Sequence, residues 1–300
     1  MGNQILDPRF RGDDKQVVRN YSSTSLRITL SGIEELDQLD QLEIYYMNIS
    51  LAPEVIFHIG SFPVTNSILT AWITILLLLL ITLITRSKLS LKTPKGLQIM
   101  FEFIITFLYD MTESIMGKKD LAKKLFPLLA TFFFFILVGS WLGLLPGVGS
   151  IGIWEQIEGK EVLVPLFRAP TSDINAALVM ALITMVTVQV VGLKHLGFFK
   201  YGKKFLNFSG KTLFDRGLNL FVSILEGISE ISKIISFTFR LFGNIFAGEV
   251  LITVMTFLIP YAVPIPFLGF EIFVGVIQAF VFFALSTVFM SLAVQSHEEH

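Results

Sequence analysis

Residues 67–85 read SILTAWITILLLLLITLIT, a run of apolar residues broken only by small hydroxyl and alanine side chains and free of charge. About 20 such residues cross the ~30 Å hydrocarbon core of a bilayer as a helix. The stretch 125–145, LFPLLATFFFFILVGSWLGLL, and the stretch 172–193 repeat the pattern. The whole chain agrees with this local reading. Of its 300 residues 53% are hydrophobic and only 16% charged, and Phe alone fills 30 positions. A soluble domain carries about 25% charged residues. The composition therefore excludes a disordered chain, disfavours a soluble enzyme and indicates a polytopic membrane protein.

A net charge of -1 provides no global basic field for nucleic acid. Cysteine is absent, which excludes disulfides, thiolate catalysis and Cys-based zinc sites. The four histidines, His58, His195, His297 and His300, have no ligand spacing, so neither a metal nor another cofactor is expected.

The charges are uneven. Residues 1–46 hold 13 of the 47 charged residues, and the other 254 positions hold 34. The first 46 residues lack the 7–15-residue apolar core of a signal peptide. They are expected to form a disordered or weakly structured tail, with 47–300 as one membrane domain.

Residues 97–116 predict an amphipathic helix. Glu102, Thr106, Asp110 and Glu113 recur on one side, and Leu97, Phe101, Ile104, Leu108, Met111 and Ile115 on the other. Gly117 is a suitable stop. Flanking basic residues make this helix interfacial or re-entrant rather than spanning. A polar loop is expected over 146–169. From 212 to 259 no proline interrupts a helical pattern that would extend ~70 Å, so it must tilt, bend or lie partly in the interface. Pro260, Pro264 and Pro266 predict a break, and a last helix is expected over 267–295. The fold expected is all-α and polytopic, with about five spans near 67–85, 125–145, 172–193, 212–259 and 267–295. The last two form a long tilted hairpin.

Loop charge sets the orientation. Loops 86–96, 117–124 and 194–216 hold four, four and six Lys or Arg. Loop 146–169 holds Lys160 and Arg168 against Glu155, Glu158 and Glu161. The three basic loops, and with them the C-terminus, are expected in the cytoplasm. Five basic residues in the tail conflict with this topology, whereas 47–66 has none. Met47 is therefore the expected physiological start, and an intact mass that includes 1–46 would exclude it.

Ionisable residues within a span are costly and are functional candidates by default. The long helix carries Glu226, Glu230, Lys233, Arg240 and Glu249, and the last helix carries Glu271 and Gln278. Steps of 7, 4 and 3 place Glu226, Glu230, Lys233, Ser236, Arg240, Asn244 and Ala247 on one stripe. Glu249, nine residues beyond Arg240, falls on the opposite face and ~13.5 Å further along. A permanent cation, carboxylates beyond it and a polar stripe before it suit a device that discharges a partner's carboxylate and blocks leakage.

Plainer readings stand beside these. Glu226, Glu230 and Lys233 form an ion cluster that would stabilise the helix. Gly243 and Gly248 permit close packing, against a partner or within the chain. Asp173 in TSDIN is a suitable helix cap. Gln278 suits an interhelical hydrogen bond, and Arg240 a structural ion pair.

The stretch EGISEISKIISFTFRLFGNIFAGEVL (226–251) resembles subunit a of the rotary F-type ATP synthase. WLGLLPG (141–147), PTSDINAALVMAL (170–182) and QAFVFFALSTVFMSLAVQSHEEH (278–300) are similar to that family too. The resemblance covers about 50–300, and RLFGN with AGE downstream is its most specific part. It implies a non-catalytic stator subunit that works with the ring of c subunits, the b subunits and the rest of the synthase. Protons would reach a ring carboxylate through two offset half-channels. Arg240 would be the essential rotor-facing arginine. Asn244, Glu249 and Gln278 match the outer half-channel, with Asp173 and Asn175 near its mouth. Glu226, Ser232, Lys233 and Ser236 match the cytoplasmic pathway.

The family often pairs a carboxylate at position 249 with a histidine at 271, or the reverse; here both are Glu. Two close carboxylates do not readily both ionise, so the pair is expected to hold one proton near neutral pH. Glu249 and the HEEH ending look bacterial, which implies the bacterial inner membrane.

A secondary cation/proton transporter is the alternative, but its characteristic repeats with paired broken helices are not seen. No GxSxG, HExxH or P-loop is present, so neither a hydrolase nor a nucleotide site is supported.

Overall fold

A computed structural model describes residues 52–87, 96–145, 151–157, 160–197, 201–202, 212–259 and 263–294. The tail 1–46, the Met47 start and much of the basic loops lie outside the described residues. Six long helices make up most of what is described: α1 Asn66–Ser87, α2 Leu97–Met116, α3 Lys119–Gly143, α4 Ile174–Leu196, α5 Leu213–Leu258 and α6 Pro264–Val294. Of these α1, α3, α4 and α6 are long and apolar enough to cross a membrane. This is an all-α polytopic membrane protein. α5, expected as a fifth span, is an unbroken helix of 46 residues. Its seven charged residues, from Asp215 to Glu249, set it apart from the four apolar helices.

Local chemistry explains the boundaries. α1 begins where the Thr65 hydroxyl accepts from the Ile68 N–H at 3.4 Å, and Arg86 lies in its last turn. α2 stops at Gly117, which is left-handed with φ 64° and returns its N–H to the Glu113 carbonyl. Glu102, Thr106 and Asp110 are exposed and Leu108 is buried, but the division is incomplete: Thr112 is buried too, and Phe103 and Phe107 are exposed. α3 starts six residues before the expected 125. Lys123 and Lys124 hide that start in an apolar-run reading, because they point outward while Leu121, Ala122 and Leu125 are buried. α5 opens with a capping box in which Thr212 and Asp215 exchange side-chain to backbone hydrogen bonds. α6 includes Pro264 and Pro266 in its first turn instead of starting after them. A first-turn residue has no helical partner for its N–H, so proline costs little there.

Two short antiparallel hairpins were not anticipated. β1 Val55–Ile59 pairs with β2 Phe62–Thr65, and β3 Gly152–Ile157 pairs with β4 Lys160–Pro165. The second occupies the segment expected as a loop. A 3-10 turn at Pro170–Ser172 then leads into α4.

α6 is central and packs on α2, α3, α4 and α5. Aromatic rings carry much of the contact. Phe237 of α5 meets Phe282 of α6 edge-on at 4.9 Å, and Phe132 of α3 meets Phe282 at 5.6 Å. Such pairs contribute about 0.5–1.5 kcal/mol beyond burial. Buried hydroxyls close on their own helices. Thr74, Thr112, Ser140, Thr184 and Thr287 each donate to the carbonyl four residues earlier. No polar side chain is then left unsatisfied at these positions in an apolar surround.

Candidate functional site

α5 presents two kinds of surface. Ser236, Arg240, Asn244 and Ala247 of the expected stripe are exposed along one side, with Ser232 exposed as well, but the stripe's charged end is not: Glu230 is buried and Glu226 and Lys233 are half-buried. Arg240 stands between exposed Phe239 and fully buried Leu241. Among the described residues it makes no ion pair and no hydrogen bond, so the structural ion-pair reading finds no partner there. Ser232 returns its hydroxyl to the Ile228 carbonyl at 2.9 Å.

Where α5 meets α6, Asn244 Nδ2 donates to Gln278 Oε1 at 2.6 Å. Gln278 is 2% exposed, and its Nε2 is buried without a partner among the described residues. Glu271 is also buried, and its Oε1 likewise lacks a partner. Its carboxyl rests against Gly248, where a Cβ would overlap it. Gly248 thus serves packing within the chain, whereas a Cβ on Gly243 would meet open space. Buried polar groups with unused hydrogen-bonding capacity are costly in an apolar interior. Two on one face of α6, seven residues apart, mark a site that can take up water or protons.

Toward the β3–β4 hairpin, α5 gains a partner that sequence reasoning missed. Arg168 Nε lies 3.1 Å from both carboxylate oxygens of half-buried Glu249. Asp173, expected as cap or as channel residue, does cap α4: its Oδ1 accepts from the Asn175 N–H at 2.8 Å and from Asn175 Nδ2 at 3.1 Å. Asp173 is buried and Asn175 exposed. The paired-carboxylate expectation for Glu249 and Glu271 thus meets an arginine that it did not include.

About 28 Å back along α5, Glu230 is buried. Its Oε1 accepts from Lys233 Nζ at 2.9 Å, and its Oε2 from Gln189 Nε2 of α4 at 3.0 Å. Tyr201 Oη donates to Gln189 Oε1. Lys233 Nζ also lies 5.2 Å from the centre of the Phe289 ring of α6, within cation–π range. The cluster is therefore more than a helix-stabilising ion pair, since it joins α4 and α6 to α5. Glu226 lies one turn earlier, half-buried.

Gln189 and Tyr201 went unforeseen as well. The available signals were the lone amide Gln189 inside an apolar span and, for the Glu249 partner, Arg168 two residues before the PTSD run at the end of a mostly acidic loop. Among the described residues no group of three His, Cys, Asp or Glu side chains is placed to hold a metal ion.

Residues 68–291 match the family described as ATP synthase A chain. The chain is similar to ATP synthase subunit a of Moorella thermoacetica, with 30% identity over 245 residues, 82% of this chain and 98% of the relative. It is similar also to ATP synthase subunit a of Helicobacter pylori, with 33% identity over 228 residues, 76% of this chain and 89% of the relative.

Proposed function

Because the chain belongs to the ATP synthase A chain family, we propose that it is the proton-translocating stator subunit of a rotary ATP synthase. It lies in a bacterial inner membrane with its C-terminus in the cytoplasm, against a ring of c subunits, with the b subunits and the remainder of the synthase as further partners. The chemistry of ATP belongs to other subunits.

Protons enter from outside past Asp173 and Asn175, and move by way of Glu249, Glu271 and Gln278 to the ring, with Asn244 orienting the Gln278 amide. A ring carboxylate takes up the proton and rotates, neutral, into lipid. A protonated carboxylate arriving from the other side meets Arg240. Two unit charges ~4 Å apart gain about 4 kcal/mol at an effective dielectric of ~20. This gain drives the proton off the carboxyl, and the proton leaves along Ser236, Lys233, Ser232 and Glu226. Arg240 cannot deprotonate, so it also separates the two half-channels.

The observation that carries this reading is the exposed Arg240, without an ion-pair partner among the described residues, on the α5 face turned away from Glu249. A fixed cation offered outward with no partner among the described residues calls for a counter-charge from another molecule. In inverted membrane vesicles, Arg240→Ala is expected to abolish ATP-driven proton uptake while the synthase still assembles. Uptake at the parent rate would overturn the proposal.

A further inference from the structure

Arg168 has no part in the scheme above. It lies between β4 and the 3-10 turn, outside every helix, yet it is only 6% exposed. Its backbone N–H donates to the Thr70 hydroxyl of α1 at 3.1 Å. Its Nη1 donates to the Ala52 carbonyl at 3.2 Å. Its Nε faces both oxygens of Glu249 at 3.1 Å. One residue therefore ties the segment before β1, the first helix and the longest helix together.

Chemistry limits what this contact can be. A guanidinium stays charged and presents its donors as a rigid planar fork. Buried, it needs a counter-charge, which Glu249 supplies. Anchored at Ala52, the fork cannot follow the Glu249 carboxylate if it swings away. The other ionisable groups on the elements packed around this point are Glu54 of the segment before β1, whose carboxylate accepts from Asn66 Nδ2 at 3.4 Å, Asp173 at the cap of α4 and Glu271 of α6. Asp173 is engaged with Asn175.

The geometry points to Arg168 as the positioning residue of the outer proton pathway: it holds the Glu249 carboxylate at one fixed site, so protons pass Glu249 only in competition with an anchored cation. This rests on Glu249 being a proton relay, as proposed above.

The test is a double-mutant cycle in the complete synthase, read as ATP-driven proton uptake by inverted vesicles per amount of this chain. Arg168→Gln is expected to slow uptake about tenfold or more, the range for losing a hydrogen bond to a charged group. Glu249→Asp withdraws the carboxylate from the fork. In that background Arg168→Gln should add less than about a twofold loss, because acting through one partner makes the losses non-additive. Arg168→Lys, charged but lacking the fork, should recover part of the rate. Parent-like uptake in Arg168→Gln, or the same fold-loss in both backgrounds, would overturn the inference. If Arg168→Gln does not accumulate, Arg168→Lys carries the same cycle: slowing with Glu249 but none added to Glu249→Asp supports it, and equal slowing overturns it. Glu249→Gln separates the two levels. If that variant pumps normally, the relay reading fails whatever Arg168 does. If it is inactive while Arg168→Gln pumps normally, only the positioning role fails.

Discussion

The carboxyl group of Glu271 on α6 occupies the space that a side chain at Gly248 on α5 would take. A Cβ at Gly248 would overlap its carboxyl carbon and both oxygens. The absence of one methyl group therefore lets a buried carboxyl sit inside the α5–α6 contact, one residue away from Glu249. Three residues matter at this point: one with no side chain, and two with carboxylates from different helices.

Gly248→Ala should accordingly act as an overpacked core. The atoms met are the end of the Glu271 side chain, which can shift, so the expected loss is about 1 kcal/mol, seen as a lower thermal midpoint of the detergent-extracted complex, with reduced proton uptake as the Glu271 carboxyl is displaced. Gly243→Ala is the control. A Cβ there meets open space within the chain, so its stability should stay within about 0.5 kcal/mol of the parent. Equal thermal midpoints for both variants would contradict the close approach.

The Asn244–Gln278 bond spans the same contact one to two turns away, at 2.6 Å. Gln278→Leu removes the acceptor and leaves Asn244 unpaired, at a cost of about 1–1.5 kcal/mol. A roughly tenfold slower proton uptake in vesicles is expected. Gln278→Glu keeps the acceptor oxygen and should slow uptake less. The order Leu worse than Glu is the informative result, since a purely steric role would make the two alike.

At the other end of α5, Glu230 accepts from both Lys233 and Gln189. Gln189→Leu removes the donor that comes from α4 and leaves the intrahelical pair intact. If the cluster joins helices, the variant should lose about 1–3 kcal/mol, the penalty for an under-satisfied buried polar group. A thermal midpoint equal to that of the parent would reduce the cluster to a local ion pair. Lys233→Gln should cost at least as much, because it leaves the buried Glu230 carboxylate without its charged partner.

Much of the architecture was legible because a bilayer demands long apolar runs, and the run 67–85 or the stretch around Phe132–Phe135 has no other use. What escaped had physical causes. Pro264 and Pro266 read as a barrier, but the first turn of a helix has no bond for them to break. The two hairpins have strands of four to six residues, too short for alternation to stand out. In the site, the exposed side from Ser236 to Ala247 was visible because one helix carries it, whereas Glu230, expected on the same stripe, turns inward to Gln189 of α4. The Arg168–Glu249 pair joins positions 81 apart in sequence, and the Gln189–Glu230 bond joins positions 41 apart. Helical periodicity relates only residues of one helix, so nothing in it reports which spans face each other.

Asp173 separates structure from transport in one residue. Its Oδ1 accepts from the Asn175 N–H at 2.8 Å and so caps α4. Asp173→Ala removes that acceptor and should cost about 1 kcal/mol, lowering the thermal midpoint. Asp173→Asn keeps a side-chain oxygen in the same place, and Asn caps as well as Asp does, so stability should hold. On the pathway proposed above, the Asp173 carboxylate would also have an electrostatic task, drawing protons toward Glu249, that an amide cannot perform. Asp173→Asn is therefore expected to fold like the parent yet take up protons more slowly at low ionic strength. Asp173 is buried, and salt screens a buried charge little, so the deficit should persist as ionic strength rises. Parent-like uptake by Asp173→Asn at every salt concentration would leave the helix cap as the whole role of this residue.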